Sequence, residues 1–129
     1  MGWYCNVIAV DPVNPDVVWA AGVDLFRSDD GGRNWGLASY WWARSDPWDP
    51  SFAHADQHAI VFRPGSSDEI LFANDGGVFY TADGTAPVPV FHEKNRSYNT
   101  LQYYTCDIHP GAGMAYYLGG LQDNGTLLY

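Results

Sequence analysis

Two aspartates in glycine-rich segments are the candidate catalytic residues. Asp75 follows the apolar run 70–73 and precedes two glycines, and Asp123 lies in a similar segment, 119–125. A pair of carboxylates can act as general acid and general base, as in the hydrolysis of glycosides. Gln122 and Asn124 flank Asp123 and are candidates for binding the ligand. The alternative is structural, with each aspartate accepting backbone N–H groups and capping its own turn.

A second set of residues has a spacing that suits a metal ion. His54, Asp56 and His58 occupy alternate positions, and alternate residues of a β-strand project from the same face. Two imidazoles and a carboxylate suit Zn²⁺. Together with Asp75 and Asp123 they would suit Ca²⁺ if carbonyl oxygens joined them. A divalent metal, calcium or zinc, is therefore the candidate cofactor. The alternative is that the three side chains hydrogen-bond one another without a metal.

Aromatic side chains crowd the segment 40–50, which also contains two prolines. Tyr40, Trp41, Trp42 and Trp48 are too many large rings for a solvated linker. They are candidates for binding a ligand, because aromatic rings stack on the C–H faces of sugars. Packing on a neighbouring part of the molecule or on a second subunit accounts for them equally well.

The elements that must position these residues are β-strands. No window of about 11 residues carries the apolar pattern of a helix without an interrupting Gly or Pro. Short β-branched and aromatic runs alternate instead with turn clusters such as DDGGRN and RPGSSDE. The pattern predicts an all-β chain with strands at 7–10, 17–21, 25–28, 59–62, 70–73, 78–81, 88–92, 103–108, 115–118 and 126–129.

An internal repeat indicates how these strands are arranged. Pro12, Pro64 and Pro110 each stand between two strand-like runs, and they are 52 and 46 residues apart. A four-stranded blade of a β-propeller has about 40–50 residues. We therefore predict a single propeller-type unit over 1–129: blade 1 at about 5–39, an aromatic loop at 40–53, blade 2 at about 54–100 and a partial blade 3 at about 101–129. A β-sandwich is the alternative. About two and a half blades leave strand edges exposed, so we expect self-association or the remainder of a larger propeller.

The segment SDDGGRNW, residues 28–35, resembles the Asp-box, S-x-D-x-G-x-T-W. Ser28, Asp30, Gly32 and Trp35 match it, and Asn34 stands where Thr is usual. The motif occurs in sialidases, sortilin-type Vps10 domains and family 74 xyloglucanases. In such a hairpin the Ser and Asp oxygens accept N–H bonds, Gly takes a positive φ, and Trp packs beneath the turn. The resemblance implies a structural role at the periphery of a blade.

Three further segments, 54–60, 74–79 and 119–125, resemble bacterial BNR-repeat proteins, which are described as glycosyl-hydrolase-like or sortilin-like. Catalytic aspartates of family 74 xyloglucanases lie in similar D-x-G-G turns. The resemblance implies a glycan-directed module, and a glycoside hydrolase using Asp75 and Asp123 if the chain is an enzyme. The alternatives are a non-catalytic, sortilin-like propeller that binds protein or peptide, and a purely structural repeat. The resemblance also implies an extracellular or cell-surface location.

The composition narrows the class of partner. Fifteen acidic and six basic side chains give a net charge of −9, the wrong sign for tracking nucleic-acid phosphates or anionic membranes. A carbohydrate or a protein is the expected ligand. No apolar stretch reaches the ~18 residues of a membrane-spanning helix, and residues 1–7 do not have the pattern of a signal peptide. We expect Cys5 and Cys106 to be two free buried thiols, or a disulfide if they meet.

Overall fold

The computed structural model describes residues 2–42, 51–98, 100–111, 113 and 116–128. The chain divides into two compact units, 1–96 and 97–129. Across the described residues, eleven strands form three antiparallel sheets. The same residues contain no helix with the length and apolar character that crossing a bilayer requires.

The first unit contains two four-stranded sheets in which consecutive strands are neighbours. Sheet 1 has the order β1 (Val7–Val10), β2 (Val18–Ala21), β3 (Leu25–Ser28), β4 (Gly36–Ser39), and sheet 2 has the order β5 (Gln57–Phe62), β6 (Ile70–Asn74), β7 (Gly77–Thr81), β8 (His92–Glu93). The second unit contains sheet 3, with β9 (Tyr103–Ile108), β10 (Tyr117–Leu121) and β11 (Thr126–Leu128). Four-stranded antiparallel meanders are the blades of β-propellers. The prediction of an all-β chain with blade-type sheets is therefore confirmed.

One strand was not predicted, and another is much shorter than predicted. The strand β4 was not predicted, because Gly36–Ser39 has no β-branched or aromatic residue. The strand predicted at 88–92 is wrong, since β8 comprises only His92–Glu93. Pro87 and Pro89 lack the N–H group that a strand donates to its neighbour, so pairing with β7 begins only after them.

One face of sheet 1 packs against one face of sheet 2 to form the core. Burial alternates along β6, whose residues Ile70, Phe72 and Asn74 are buried, as the period of a strand requires. Trp19 of sheet 1 and Phe72 of sheet 2 are fully buried, and their ring centroids are 5.2 Å apart. This packing fixes the positions of the loops at both ends of the two sheets.

The other face of sheet 1 carries a row of exposed apolar side chains. Ile8, Ala20, Phe26 and Leu37 are paired in register across the four strands, so they form one row on one face. Ile8, Phe26 and Leu37 are all exposed. A row of this kind marks a surface on which another protein element can pack.

Candidate functional site

Three loops of the first unit meet at one end of sheets 1 and 2. The N–H of Asp56 donates to Val23 O at 3.1 Å, and the N–H of Gln57 donates to Gly22 O at 2.8 Å. The carbonyl of Asp56 accepts the N–H of Asp75 at 3.3 Å. Residues 56–57 therefore connect the β2–β3 turn of sheet 1 to the β6–β7 turn of sheet 2. Asp56 has a φ of 62°, a left-handed conformation that aspartate tolerates better than most residues.

The carboxylate of Asp75 is held by side chains from two other segments. The Tyr4 hydroxyl donates to Oδ1 and Oδ2, at 3.0 Å from each. The Nε2–H of His58 donates to Oδ1 at 2.6 Å. The Tyr4 and His58 rings also make an edge contact with centroids 5.0 Å apart. The Asp75 side chain is 19% exposed and that of His58 37%, so a ligand can reach both.

The turn itself is capped by Asn74, the residue before Asp75. Its Oδ1 accepts the N–H of Gly76 at 3.1 Å. Asp75 therefore does not have the turn-capping role that the sequence left open as an alternative. Its carboxylate points to Tyr4 and His58 instead, where it can accept a proton or a hydroxyl hydrogen bond.

The two glycines after Asp75 are required by close contacts. A Cβ on Gly76 would overlap the side chain of His54, and one on Gly77 would overlap the amide of Asn95. Gly77 also has a φ of 111°, which L-residues rarely adopt. The side-chain amide of Asn95 stabilises the turn: its Oδ1 accepts the N–H of Val78 at 2.8 Å, and its Nδ2 donates to Gly76 O at 2.7 Å.

Asn95 and Tyr4 were not predicted as site residues from the sequence. Asn95 lies 17 residues beyond Val78 in a loop, and Tyr4 precedes the first strand, so no spacing in the sequence relates either of them to Asp75. The only available signal for Tyr4 was the pair of aromatic residues, Trp3 and Tyr4, directly before β1.

The predicted metal set of His54, Asp56 and His58 is not formed. The prediction assumed one strand, but β5 begins at Gln57, and the left-handed φ of Asp56 breaks the alternation. Nδ1–H of His54 donates to Ala55 O, while His58 turns to Asp75. Within the parts of the chain that the structure describes, no three or more His, Cys, Asp or Glu residues are grouped so that they could hold a metal ion.

Cys5 lies next to Asp56 and is buried, with its Sγ–H donating to Oδ1 at 3.3 Å. Burial, followed by the hydrogen bond to the Asp56 carboxylate, raises the pKa of the Cys5 thiol. The thiol therefore stays protonated at neutral pH and is a poor nucleophile. Cys5 and Cys106 are not joined in a disulfide, and Cys106 is exposed, so the prediction that both thiols are buried is wrong for Cys106.

Exposed aromatic rings lie at the same end of the sheets. The N–H of Trp41 donates to Asp24 Oδ1 in the β2–β3 turn at 2.9 Å. Trp41 and Trp42 are each about half exposed, and the Trp42 ring contacts both Tyr40 and Trp41. Trp3, next to Tyr4, is 87% exposed. Trp48, the fourth predicted ligand-binding aromatic residue, lies outside the described residues.

The second unit holds the other predicted carboxylate in the β10–β11 turn. Asp123 has a φ of 53°, and its Oδ2 accepts the side-chain amide of Gln122 at 2.7 Å. The Asn124 amide donates to the Gln122 carbonyl at 2.7 Å. All three predicted residues thus interact within one turn. Asp75 and Asp123 belong to different units, and their pairing stays a prediction.

The hairpin after β3 has the local hydrogen bonds that its residue types favour. Ser28 Oγ accepts the N–H of Gly32 at 2.9 Å and donates to Asp30 Oδ1 at 2.8 Å. The Asp30 carboxylate also accepts the N–H and the side-chain amide of Asn34. Donation from Asn34, and then from Ser28, lowers the pKa of Asp30 to about 2. These contacts tie the Asp30 carboxylate into its own hairpin.

Trp35 differs from the prediction for this hairpin. Its Nε1–H donates to Gly32 O at 2.9 Å, which closes the turn. However, the residue is 43% exposed rather than buried beneath the turn. The turn after β7, Thr81-Ala82-Asp83-Gly84, has a related arrangement, in which Thr81 Oγ1 donates to Asp83 Oδ1 at 2.6 Å.

The antiparallel sheets, in which consecutive strands are neighbours, give this chain the fold of β-propeller blades. No protein-family model matches the sequence, and no curated protein matches it. Among solved structures, the chain is similar to the crystal structure of the GH74 xyloglucanase from Xanthomonas campestris, with a TM-score of 0.56 and 21% identity. The similarity covers 94% of this chain and 19% of that chain. The chain thus spans about a fifth of that protein's length, and the likeness shows the fold.

Proposed function

We propose that this chain is a glycan-directed part of a β-propeller and that the surface around Asp75 contacts the sugar. The observation that carries the proposal is the Asp75 carboxylate, held in a partly exposed position by Tyr4 and His58. A carboxylate in this position accepts hydrogen bonds from sugar hydroxyls. Exposed Trp3, Trp41 and Trp42 at the same end of the sheets offer flat faces to the C–H groups of sugar rings.

The finer form of this proposal is hydrolysis of a polysaccharide. Asp75 would then act as acid or base on the glycosidic oxygen or on a water molecule, with the Tyr4 and His58 hydrogen bonds fixing its orientation. Glycoside hydrolysis needs a second carboxylate, and the sequence offers Asp123. The similarity in fold to a GH74 xyloglucanase supports the choice of a β-glycan as the first substrate to test.

The test is a calorimetric titration of the whole chain with xyloglucan oligosaccharides, alongside a glycan array. Asp75→Asn should weaken binding by about 10-fold to 100-fold, the loss expected for a hydrogen bond to a charged group. Asp16→Asn is the matched control, because Asp16 is also exposed but lies in the β1–β2 turn at the opposite end of sheet 1. Binding that Asp75→Asn and Trp41→Ala leave unchanged would refute the assignment of the surface.

Hydrolysis is tested separately, by measuring release of reducing sugar from xyloglucan and from sialosides. Asp75→Asn should abolish any activity that the wild-type chain shows, while Asp16→Asn should keep it. If the chain binds glycan but does not hydrolyse it, the catalytic form of the proposal fails and the chain is a glycan-binding module.

A protein-binding propeller is the second candidate, favoured by the exposed apolar row of Ile8, Phe26 and Leu37. Its occupant would be another protein surface rather than a sugar, because the row has no aromatic ring besides Phe26 and no polar group. A chain that binds no glycan on the array, and whose binding to a protein is lost in Ile8→Asp, would favour this candidate.

A further inference from the structure

A cavity of about 400 Å³ lies between the hairpin after β3 and the proline-containing segment 84–89. It is at the opposite end of β3 from the surface around Asp75, because the β2–β3 turn and the β3–β4 hairpin join different ends of that strand. Its walls include Trp35, Gly36, Asn34, Asp29, Pro87 and Pro89. Its size is within the range of about 300–1,000 Å³ that is usual for small-molecule sites.

The cavity is built on a rigid support. The guanidinium of Arg27 reaches from β3 to the opposite wall, where Nη1 donates to Gly84 O at 2.7 Å and to Ala86 O at 2.6 Å. Arg27 Nε also pairs with Asp29 Oδ1 at 2.9 Å. The Arg27 side chain is 11% exposed, so these bonds hold both walls in place without ligand. A site that is already formed loses little entropy on binding.

Trp35 gives the cavity an aromatic wall. Its only polar side-chain atom, Nε1, is satisfied by Gly32 O inside the hairpin. The 43% of the residue that stays exposed is therefore mainly carbon surface of the indole. The ring packs against the turn at Gly32 and is partly exposed where it lines the cavity, so a ligand can stack on the exposed part of the ring.

The charges of the cavity disfavour an anionic ligand. Asp29 is compensated by Arg27, and Asp30 is held by Ser28 and Asn34. Among the described residues of the cavity wall, the single cation Arg27 is already paired with Asp29 and a second carboxylate remains, so an anionic ligand would be repelled. The carboxylate oxygens can each accept more than one hydrogen bond, so a ligand with several hydroxyl donors and one apolar face is the best match.

We propose that this cavity binds one pyranose ring of a neutral polysaccharide, stacked on Trp35 with its hydroxyls directed to Asp29 and Asn34. The site is separate from the surface around Asp75 and does not depend on that surface having the function proposed above. Such a second site would bind one part of a polysaccharide on the blade while another part of the same polysaccharide reaches the surface around Asp75.

The indole N–H resonance of Trp35 gives a direct test in a ¹H–¹⁵N titration with cellotetraose. The resonance is assigned from the spectrum of Trp35→Phe. We expect a saturable shift of this resonance at millimolar saccharide, and we expect Asp75→Asn to leave it unchanged. Failure of the function proposed for Asp75 would therefore not remove the shift, and the two proposals can be distinguished.

Gly36→Val is the variant that blocks the cavity. Gly36 is the cross-strand partner of Arg27, and a Cβ at this position meets nothing closer than Arg27 O at 3.8 Å. The valine side chain should therefore enter the cavity without disturbing the hairpin, and it should weaken cellotetraose binding at least about 10-fold. Gly22→Ala, another glycine with room for a Cβ, is the control and should bind as the wild type does.

Two results would overturn the proposal. One is a wild-type Trp35 resonance that does not shift with cellotetraose, a measurement that does not depend on any blocking variant folding. The other is a shift that persists unchanged in Gly36→Val. A larger Trp35 shift with a proline-rich peptide than with the saccharide would also count against it, since it would indicate a peptide groove.

Discussion

Gly76→Ala tests the packing that places Asp75. A Cβ on Gly76 would overlap Cβ, Cγ and Cδ2 of His54, so the ring must move or the β6–β7 turn must shift. Overpacking of this kind costs about 1–3 kcal/mol. For a domain of about 100 residues, each kcal/mol lowers the melting temperature by about 4–8 °C. Because the same turn carries Asp75, the variant should also bind glycan more weakly than the wild type.

The assay is urea unfolding of the whole chain at neutral pH, with two comparisons. Gly22→Ala is the matched control, because Gly22 lies in the equivalent β2–β3 turn of sheet 1 and its Cβ would meet Cys5 O at an ordinary 3.6 Å. His54→Gly removes the three atoms nearest to a Cβ on Gly76, which are Cβ, Cγ and Cδ2 of His54. The two substitutions together should therefore show a coupling free energy of about 1–3 kcal/mol. The reasoning fails if Gly76→Ala is as stable as Gly22→Ala, or if its cost is the same in the His54→Gly background.

Three further outcomes are expected. Phe72→Ala should lower the free energy of unfolding by about 3–5 kcal/mol, because the ring is fully buried against Trp19 and Phe91. Trp35→Ala should lower the free energy of unfolding clearly less. Equal losses in urea unfolding would contradict the exposure of Trp35. Asp30 has a folded pKa of about 2, below its usual 3.8, so its stabilising effect is present above about pH 4 and is lost as the pH falls toward 2. Asp30→Asn should make the free energy of unfolding depend less on pH in that window. If the pH dependence of the variant equals that of the wild type, the hairpin does not stabilise the charged form of Asp30. The exposed apolar row of sheet 1 should make the chain self-associate at micromolar concentration, and a monomer by light scattering would argue against that row as a contact surface.

The sequence predicted the fold well because the strands are short and their turns are rich in Gly, Pro and Asp. β1, β3 and β9 have the predicted bounds. β4 was missed since its residues, Gly36–Ser39, have weak strand preference. It is a strand because the hairpin from Ser28 to Trp35 turns the chain back alongside β3. Tertiary geometry, and not local preference, decides such an edge strand.

The site was predicted less completely, because its geometry depends on contacts between distant segments. Asp75 was identified from its own turn, but its two hydrogen-bond donors come from the segment before β1 and from β5. The H-x-D-x-H spacing suggested a metal because an unbroken strand was assumed. A single left-handed residue, Asp56, changes the direction of the chain there, and no feature of the sequence specifies that φ.

The three turns after the second strand of each sheet show why the repeat alone does not determine chemistry. Each contains an aspartate, but Asp24 accepts the N–H of Trp41, and Asp123 accepts the amide of its neighbour Gln122. Only the carboxylate of Asp75, among these three, accepts donors from a Tyr and a His of other elements while remaining accessible. The same turn thus bonds to its own surroundings in one blade and presents a partly exposed carboxylate, bound by Tyr4 and His58, in the next. What distinguishes Asp75 is the set of side chains that surround it. His54 packs against Gly76 and Asn95 packs against Gly77, so neither glycine can be replaced by a residue with a side chain without a shift. The repeated motif therefore does not predict which of the three aspartates is bound by side chains from other elements; the contacts around each turn decide that.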